Sequence, residues 1–160
     1  MTDETLTTVS VTRRIASSAE AIFEVLATPS RHRDYDGSRM LRGTESGPIT
    51  AVGDAFVMNM YFLPLGGDYS MINHVVEFEA GRLIAWEPEN GPGHLEVGAP
   101  NARWGHRWRF ELEPDGPEAT VVTETWDGTG IPAEDAEDGR QWIPSMEKTL
   151  ERLDQLLTGA

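Results

Sequence analysis

The feature that most constrains this fold is a change of period along the chain. Between Phe56 and Trp126 apolar residues return at every second position, whereas in the closing segment they return every third or fourth. The first pattern belongs to strands whose alternate side chains share one face, the second to a helix with a single apolar stripe. Phe56, Met58, Met60 and Phe62 alternate with Val57, Asn59 and Tyr61. Ile72, His74, Val76 and Phe78 alternate with Asn73, Val75 and Glu77, and Leu83 to Trp86 reads as a short strand. The clearest case sets Trp104, His106, Trp108, Phe110 and Leu112 against Arg107, Arg109, Glu111 and Glu113. Thr120 to Trp126 follows after a turn at Pro114 to Pro117. The closing helix carries Ile143, Met146, Leu150, Leu153 and Leu157 on one stripe, widened by Leu156, with Ser145 as a plausible cap.

Ahead of these strands, Thr5 to Ile15 reads as a strand with Val9 and Val11 on one face. Ser17 with Glu20 matches a capping box, and Ala19, Ile22, Phe23 and Leu26 then recur at helical spacing until Pro29. Ser30 to Asp36 reads as a second short helix, closed by Gly37. A sheet with one apolar face needs a cover, and a helix with one stripe needs a surface. The economical solution is α+β: a curved antiparallel sheet of six to seven strands wrapped around the long C-terminal helix, with two short helices after strand 1. A chain of 160 residues fits one domain, 1–160. Glu87 to Arg103 and Asp127 to Arg140 read as long loops, of the kind that carries function.

Charge and composition narrow the function. The 27 acidic and 13 basic residues give a formal net charge of -14, which repels nucleic acid and anionic membrane surfaces. With no cysteine there is no disulfide, thiolate metal site or cysteine nucleophile. The segment Met1 to Val9 lacks the basic and apolar regions of a signal peptide, and no apolar run is long enough for membrane insertion, so the expected location is cytoplasmic. Phosphate-binding, dinucleotide, nucleophile-elbow and zinc-protease motifs are missing, and His32, His74, His94 and His106 lack metal-ligand spacing. No cofactor and no metal are expected.

The ordered set of segments resembles the START-like, or SRPBCC, superfamily with the helix-grip fold, in its polyketide cyclase/dehydrase-like branch. The likeness is carried by the opening strand and helix (Ser17, Glu20, Ile22, Phe23, Leu26) and by Asp34 to Ser38. It continues through Val75 to Glu89, Gly105 to Gly116, Val122 to Asp127 and the closing helix Met146 to Leu157. It implies a cavity between the sheet and the last helix, and a small hydrophobic ligand such as a lipid, polyketide or aromatic metabolite. The long Glu87 to Arg103 loop departs from the branch and, placed over the cavity mouth, would alter ligand choice. The same cavity could instead serve a cofactor-independent cyclase, aromatase or dehydrase. A third reading is a protein-interaction module with a filled core. The chain is expected to be a monomer or a homodimer.

The candidate site follows from parity. His106 shares a face with Trp108, Phe110 and Leu112, and His74 with Ile72, Val76 and Phe78. On the Thr120 strand either Val122, Glu124 and Trp126 face inward or Val121, Thr123 and Thr125 do; the bulk of Trp126 favours Glu124 inward. A buried carboxylate needs a partner, and a polar cluster of His106, Glu124 and His74 would anchor a ligand's polar end or act as general acid and base. The alternative is a His–Glu pair that only satisfies itself. Phe56, Met58, Met60, Ile72, Trp86, Trp104 and Trp108 supply soft lining, or simply pack the core. Tyr35 either hydrogen-bonds the ligand at the mouth or belongs to a solvated turn with Asp36 and Gly37.

Overall fold

The computed structural model describes residues 6–94 and 103–159. Seven strands form one antiparallel sheet: β1 (Thr8–Ile15), β2 (Leu41–Gly43), β3 (Ala55–Phe62), β4 (Gly67–Glu79), β5 (Leu83–Asn90), β6 (Arg107–Pro114) and β7 (Thr120–Asp127). Their spatial order is β1-β7-β6-β5-β4-β3-β2. Two short helices, α1 (Ala19–Leu26) and α2 (Pro29–Tyr35), follow β1, and α3 (Ile143–Thr158) closes the chain. The sheet grips α3, which buries Met146, Thr149, Leu150 and Leu153 against it. This is the expected helix-grip arrangement.

Local chemistry sets the helix ends. The cap of α1 is Ser18, not Ser17: its Oγ accepts from the Ala21 N–H at 3.2 Å. Pro29 opens α2, where its missing N–H costs nothing. For α3 the cap residue is Trp142 and no side chain caps the helix; the Ser145 hydroxyl donates to the Trp142 carbonyl at 3.0 Å. Gly37 lets α2 reach α3. A Cβ there would collide with the Ser145 carbonyl oxygen, and its N–H donates to Thr149 Oγ1 at 2.9 Å.

Three expectations about the strands are corrected. The first concerns the face of His74 and Ile72. The β4–β5 ladder pairs Val75 with Trp86 and then Glu77 with Ala85, so Val76 is an extra residue in a bulge. The bulge flips parity: Tyr69, Asn73 and Val75 are buried before it, while Phe78 packs against the core after it. Ile72 and His74 therefore lie on the outer face. The second concerns β5, which runs on past Trp86 to Asn90 and buries Pro88 and Asn90. The expected loop from Glu87 thus starts at Gly91, and its 95–102 portion lies outside the described residues. The third concerns β6, which begins at Arg107, so Trp104 and His106 precede it rather than belong to it.

On the outer face charged side chains pair across strands. Arg107 donates to Glu87 and Glu77, Arg109 donates to Glu77, and Arg103 donates to Glu87. His74 Nε2 sits 2.7 Å from Glu89 Oε1 in the same layer. Among the described residues no helix is long and apolar enough to cross a membrane.

Candidate functional site

The inner face of β7 carries Val122, Glu124 and Trp126, all buried. Glu124 faces the interior between two apolar clusters. One includes Phe110, Val122, Leu150 and Leu153; the other is Val9, Trp126, Ile131 and Met146. Val11 and Trp108 touch both. Glu124 is 5% exposed, and its Oε1 has no hydrogen-bond partner. Burial first, and the like charge of Asp36 second, push its pKa well above the usual carboxylate range. Its surroundings favour the neutral carboxyl. From the end of α2, Tyr35 enters the same region, buried and with its hydroxyl unpartnered. Burial raises the Tyr35 pKa, with further contributions from Glu124 and Asp36. Tyr35 is thus an interior group, not part of a solvated turn.

Beside Glu124 four rings close a circuit. His106 lies 6.1 Å from Trp126, Trp126 lies 6.3 Å from Trp142, Trp142 lies 5.5 Å from Trp108, and Trp108 lies 6.2 Å from His106. Trp126 is roughly parallel to both His106 and Trp142, and Trp108 stands edge-on to them. The indole nitrogens of Trp126 and Trp142 and the Nδ1 of His106 are buried without partners. Burial lowers the His106 pKa to about 4, against an opposing pull from Glu87, so the ring is neutral near pH 7. Asn90, at the inner end of β5, accepts from Trp104 Nε1 at 2.6 Å and leaves its own amide nitrogen unpartnered. Buried polar atoms are nearly always paired, and each one left bare costs about 1–3 kcal/mol.

Sequence reasoning placed part of this set. Phe56, Met58 and Trp86 are buried inward, and Met60 and Trp108 face the same side with some surface left. Trp86 stacks on His32 at 5.1 Å, and His32 Nε2 contacts the Leu26 carbonyl at 2.7 Å. Burial lowers the pKa of His32 to about 4, so it donates to that carbonyl as a neutral ring. Trp108 is informative: it sits on a strand flanked on both sides, faces inward, and is still only partly buried. The expected His106–Glu124–His74 cluster does not assemble. His74 is on the outer face with Glu89, and no hydrogen bond joins His106 to Glu124. Ile72 is likewise on the outer face. Trp142 and Asn90 were not foreseen. Trp142 lies four residues before Met146 and continues the helical stripe by one turn; Asn90 continues the alternation Ile84, Trp86, Pro88.

Two surface concavities bear on the expected cavity. One of about 410 Å³ lies on the outer face beside Leu83, Glu111 and Thr123. The other, of about 390 Å³, lies at the β3–β4 rim beside Asn59, Tyr69 and Gly93. Neither has a residue of α3 in its lining.

No protein-family model matches the chain. Over 116 residues, 71% of its length, it is 33% identical to an uncharacterized protein of Mycobacterium tuberculosis, of which that match covers 44%. The chain spans less than half the length of the curated relatives it matches. Among solved structures, a START superfamily protein from Mycobacterium smegmatis superposes with a TM-score of 0.64 at 15% identity, covering 95% of this chain and 97% of that one. The major latex-like protein 151 of Panax ginseng gives 0.65 at 14% identity, covering 95% and 99%. A protein from Arthrobacter aurescens gives 0.72 at 17% identity, covering 96% and 87%. At these identities the likeness is one of fold, and the fold is START-like.

Proposed function

We propose that this START-like chain binds one small, mainly apolar molecule between the sheet and the first half of α3. The observation that carries the reading is the seam itself. Glu124, Tyr35, Trp126, Trp142 and His106 each leave a buried polar atom bare at the junction of two otherwise apolar clusters. A core that only needed filling would gain stability by replacing these groups with aliphatic ones. A ligand with an apolar body and a polar end satisfies both halves of the wall. The partial exposure of the inward-facing Trp108 and Trp142 supports an interior that opens to admit it.

The test uses an uncharged fluorescent apolar probe, N-phenyl-1-naphthylamine. All five tryptophans lie in or beside the described wall, so a probe bound there quenches their emission while its own rises. The reading predicts saturation at one probe per chain. Unsaturable uptake, or none, overturns it.

A second reading, an acid–base enzyme such as a cyclase or dehydrase, is favoured by one observation. Burial raises the Glu124 pKa and lowers that of His106, which favours an acid and a base on the same inner face. It predicts that a molecule bound there is chemically altered over time; recovery of every bound candidate unchanged sets it aside.

A further inference from the structure

The two edges of the sheet are finished differently. At one edge β2 is three residues long, and its register against β3 shifts within that length, which blunts it. At the other edge β1 runs for eight residues and pairs with β7 over its whole length without a bulge. It holds no proline, and Thr8, Val9, Val11, Thr12 and Ile15 are β-branched. Its charges are neutralised within the chain: Arg13 donates to Asp154 at 2.8 Å and Arg14 to Asp115 at 2.7 Å. A proline, a bulge or an unpaired charge would protect such an edge, and β1 has none of them.

The hydrogen bonds fix which groups point outward. The Gly128 N–H donates to the Thr7 carbonyl at 2.7 Å, and Thr8 stands opposite Asp127. Odd-numbered residues therefore turn their backbone groups to β7, and Thr8, Ser10, Thr12 and Arg14 turn theirs to the edge. The Leu6 carbonyl, first on that side, accepts from the Gly139 N–H at 2.8 Å. From Thr8 to Arg14 no backbone group on that side has a hydrogen-bond partner among the described residues. The Thr8, Ser10 and Thr12 side chains are exposed on the outer face, bonded sideways to Asp127, Thr125 and Thr123. α3 runs under the inner face of the strand, where Met146 packs with Val9 and Asp154 holds Arg13.

This edge is complementary to a second copy of itself. An antiparallel partner must set edge-pointing residues opposite edge-pointing residues. One register does so for all four: Thr8 faces the partner's Arg14, and Ser10 faces the partner's Thr12. The two-fold axis then passes beside Val11, which meets the partner's Val11, apolar against apolar. Arginine does not face arginine. The Thr8 hydroxyl donates to Asp127, so the partner's Arg14 arrives beside a carboxylate. The neighbouring register on one side calls on the Leu6 carbonyl, already taken by Gly139; on the other it carries Thr8 past the end of the partner strand.

We propose that two copies of this chain associate edge to edge through antiparallel β1 strands, in the register that sets Val11 against the partner's Val11. The proposal stands apart from the ligand reading above. An edge of eight residues makes a small interface, so the association is weak, with a dissociation constant on the order of 10–100 µM.

Sedimentation velocity of the full chain, at concentrations about tenfold below and above that range, should show a monomer passing to a dimer. Thr12→Pro removes an edge-pointing N–H and leaves the bonds to β7 in place, so it should keep its circular dichroism and stay monomeric. The chain has no cysteine, so single cysteines report the geometry without background. A non-hydrogen-bonded antiparallel pair holds its Cα atoms about 4.5 Å apart, within disulfide reach. Under mild oxidation Val11→Cys should therefore cross-link at least about tenfold faster than Leu63→Cys, which sits 72% exposed between β3 and β4. A monomer at every concentration overturns the proposal. A dimer that persists in folded Thr12→Pro, or Val11→Cys cross-linking no faster than Leu63→Cys, puts the contact elsewhere and overturns it as well. Should Thr12→Pro fail to fold, the two cysteine variants decide.

Discussion

Replacing Glu124 by glutamine removes an ionisable proton from the core and changes little else. Its consequence for stability follows from linkage. In the unfolded chain Glu124 titrates near 4.5, and in the folded chain well above that, because burial and Asp36 both disfavour the anion. Above pH 4.5 the native state thus holds a proton that the unfolded state has released. Unfolding is then favoured as pH rises, and this group's contribution falls by about 1.4 kcal/mol per pH unit until the folded pKa is reached. It is fully present below pH 4.5. His32 and His106 act in the opposite sense. Their folded pKa values of about 4 lie below the unfolded 6.5, so each adds stability above pH 6.5. Each loses about 3 kcal/mol as pH falls through that window. In the wild type the slopes overlap; in the difference between wild type and Glu124→Gln the histidine terms cancel. Urea unfolding followed by tryptophan emission at about pH 5, 6 and 7 measures that difference. The glutamine variant should gain on the wild type with rising pH, at up to about 1.4 kcal/mol per unit. Parallel pH dependences for the two proteins would refute the claim that a neutral carboxyl lies in the core.

Other perturbations test the frame around the site. Ser18→Ala should cost about 1 kcal/mol in thermal or urea unfolding while Ser17→Ala costs little, because Ser18 holds the Ala21 N–H. Gly37→Ala should destabilise by roughly 1–3 kcal/mol, since its Cβ meets the α3 backbone; a neutral result would show that α2 and α3 pack more loosely. His74→Ala should shift stability by less than about 1 kcal/mol in the same assay, because its pair with Glu89 is about a third exposed.

The parts of the fold that were legible are those where one face alone decides. On β6 the charged residues Arg107, Arg109, Glu111 and Glu113 alternate with Trp108, Phe110 and Leu112, and the structure keeps that division. On β7 the size of Trp126 correctly turned Glu124 inward, because the alternative buries threonines and exposes an indole. β4 misled because Val76 and its neighbours are apolar on both parities, and nothing in such a run marks an inserted residue. β5 misled because Pro88 cannot donate to a ladder, so the pattern stops at Trp86 by eye although the chain continues to Asn90. The aromatic circuit draws on the segment before β6, on β6 itself, on β7 and on the turn into α3. Separations of that size along the chain leave no local trace. Glu124 was legible as a residue and as an orientation, but not in its lack of a partner, which depends on what α2 and α3 place opposite it.

The most direct test of the central claim is native mass spectrometry of the purified chain, before and after incubation with N-phenyl-1-naphthylamine. The account predicts a single adduct of one small molecule per chain, released by organic solvent. A spectrum of the bare chain alone under both conditions would contradict it, and would mark the buried polar atoms around Glu124 as a feature of the core itself.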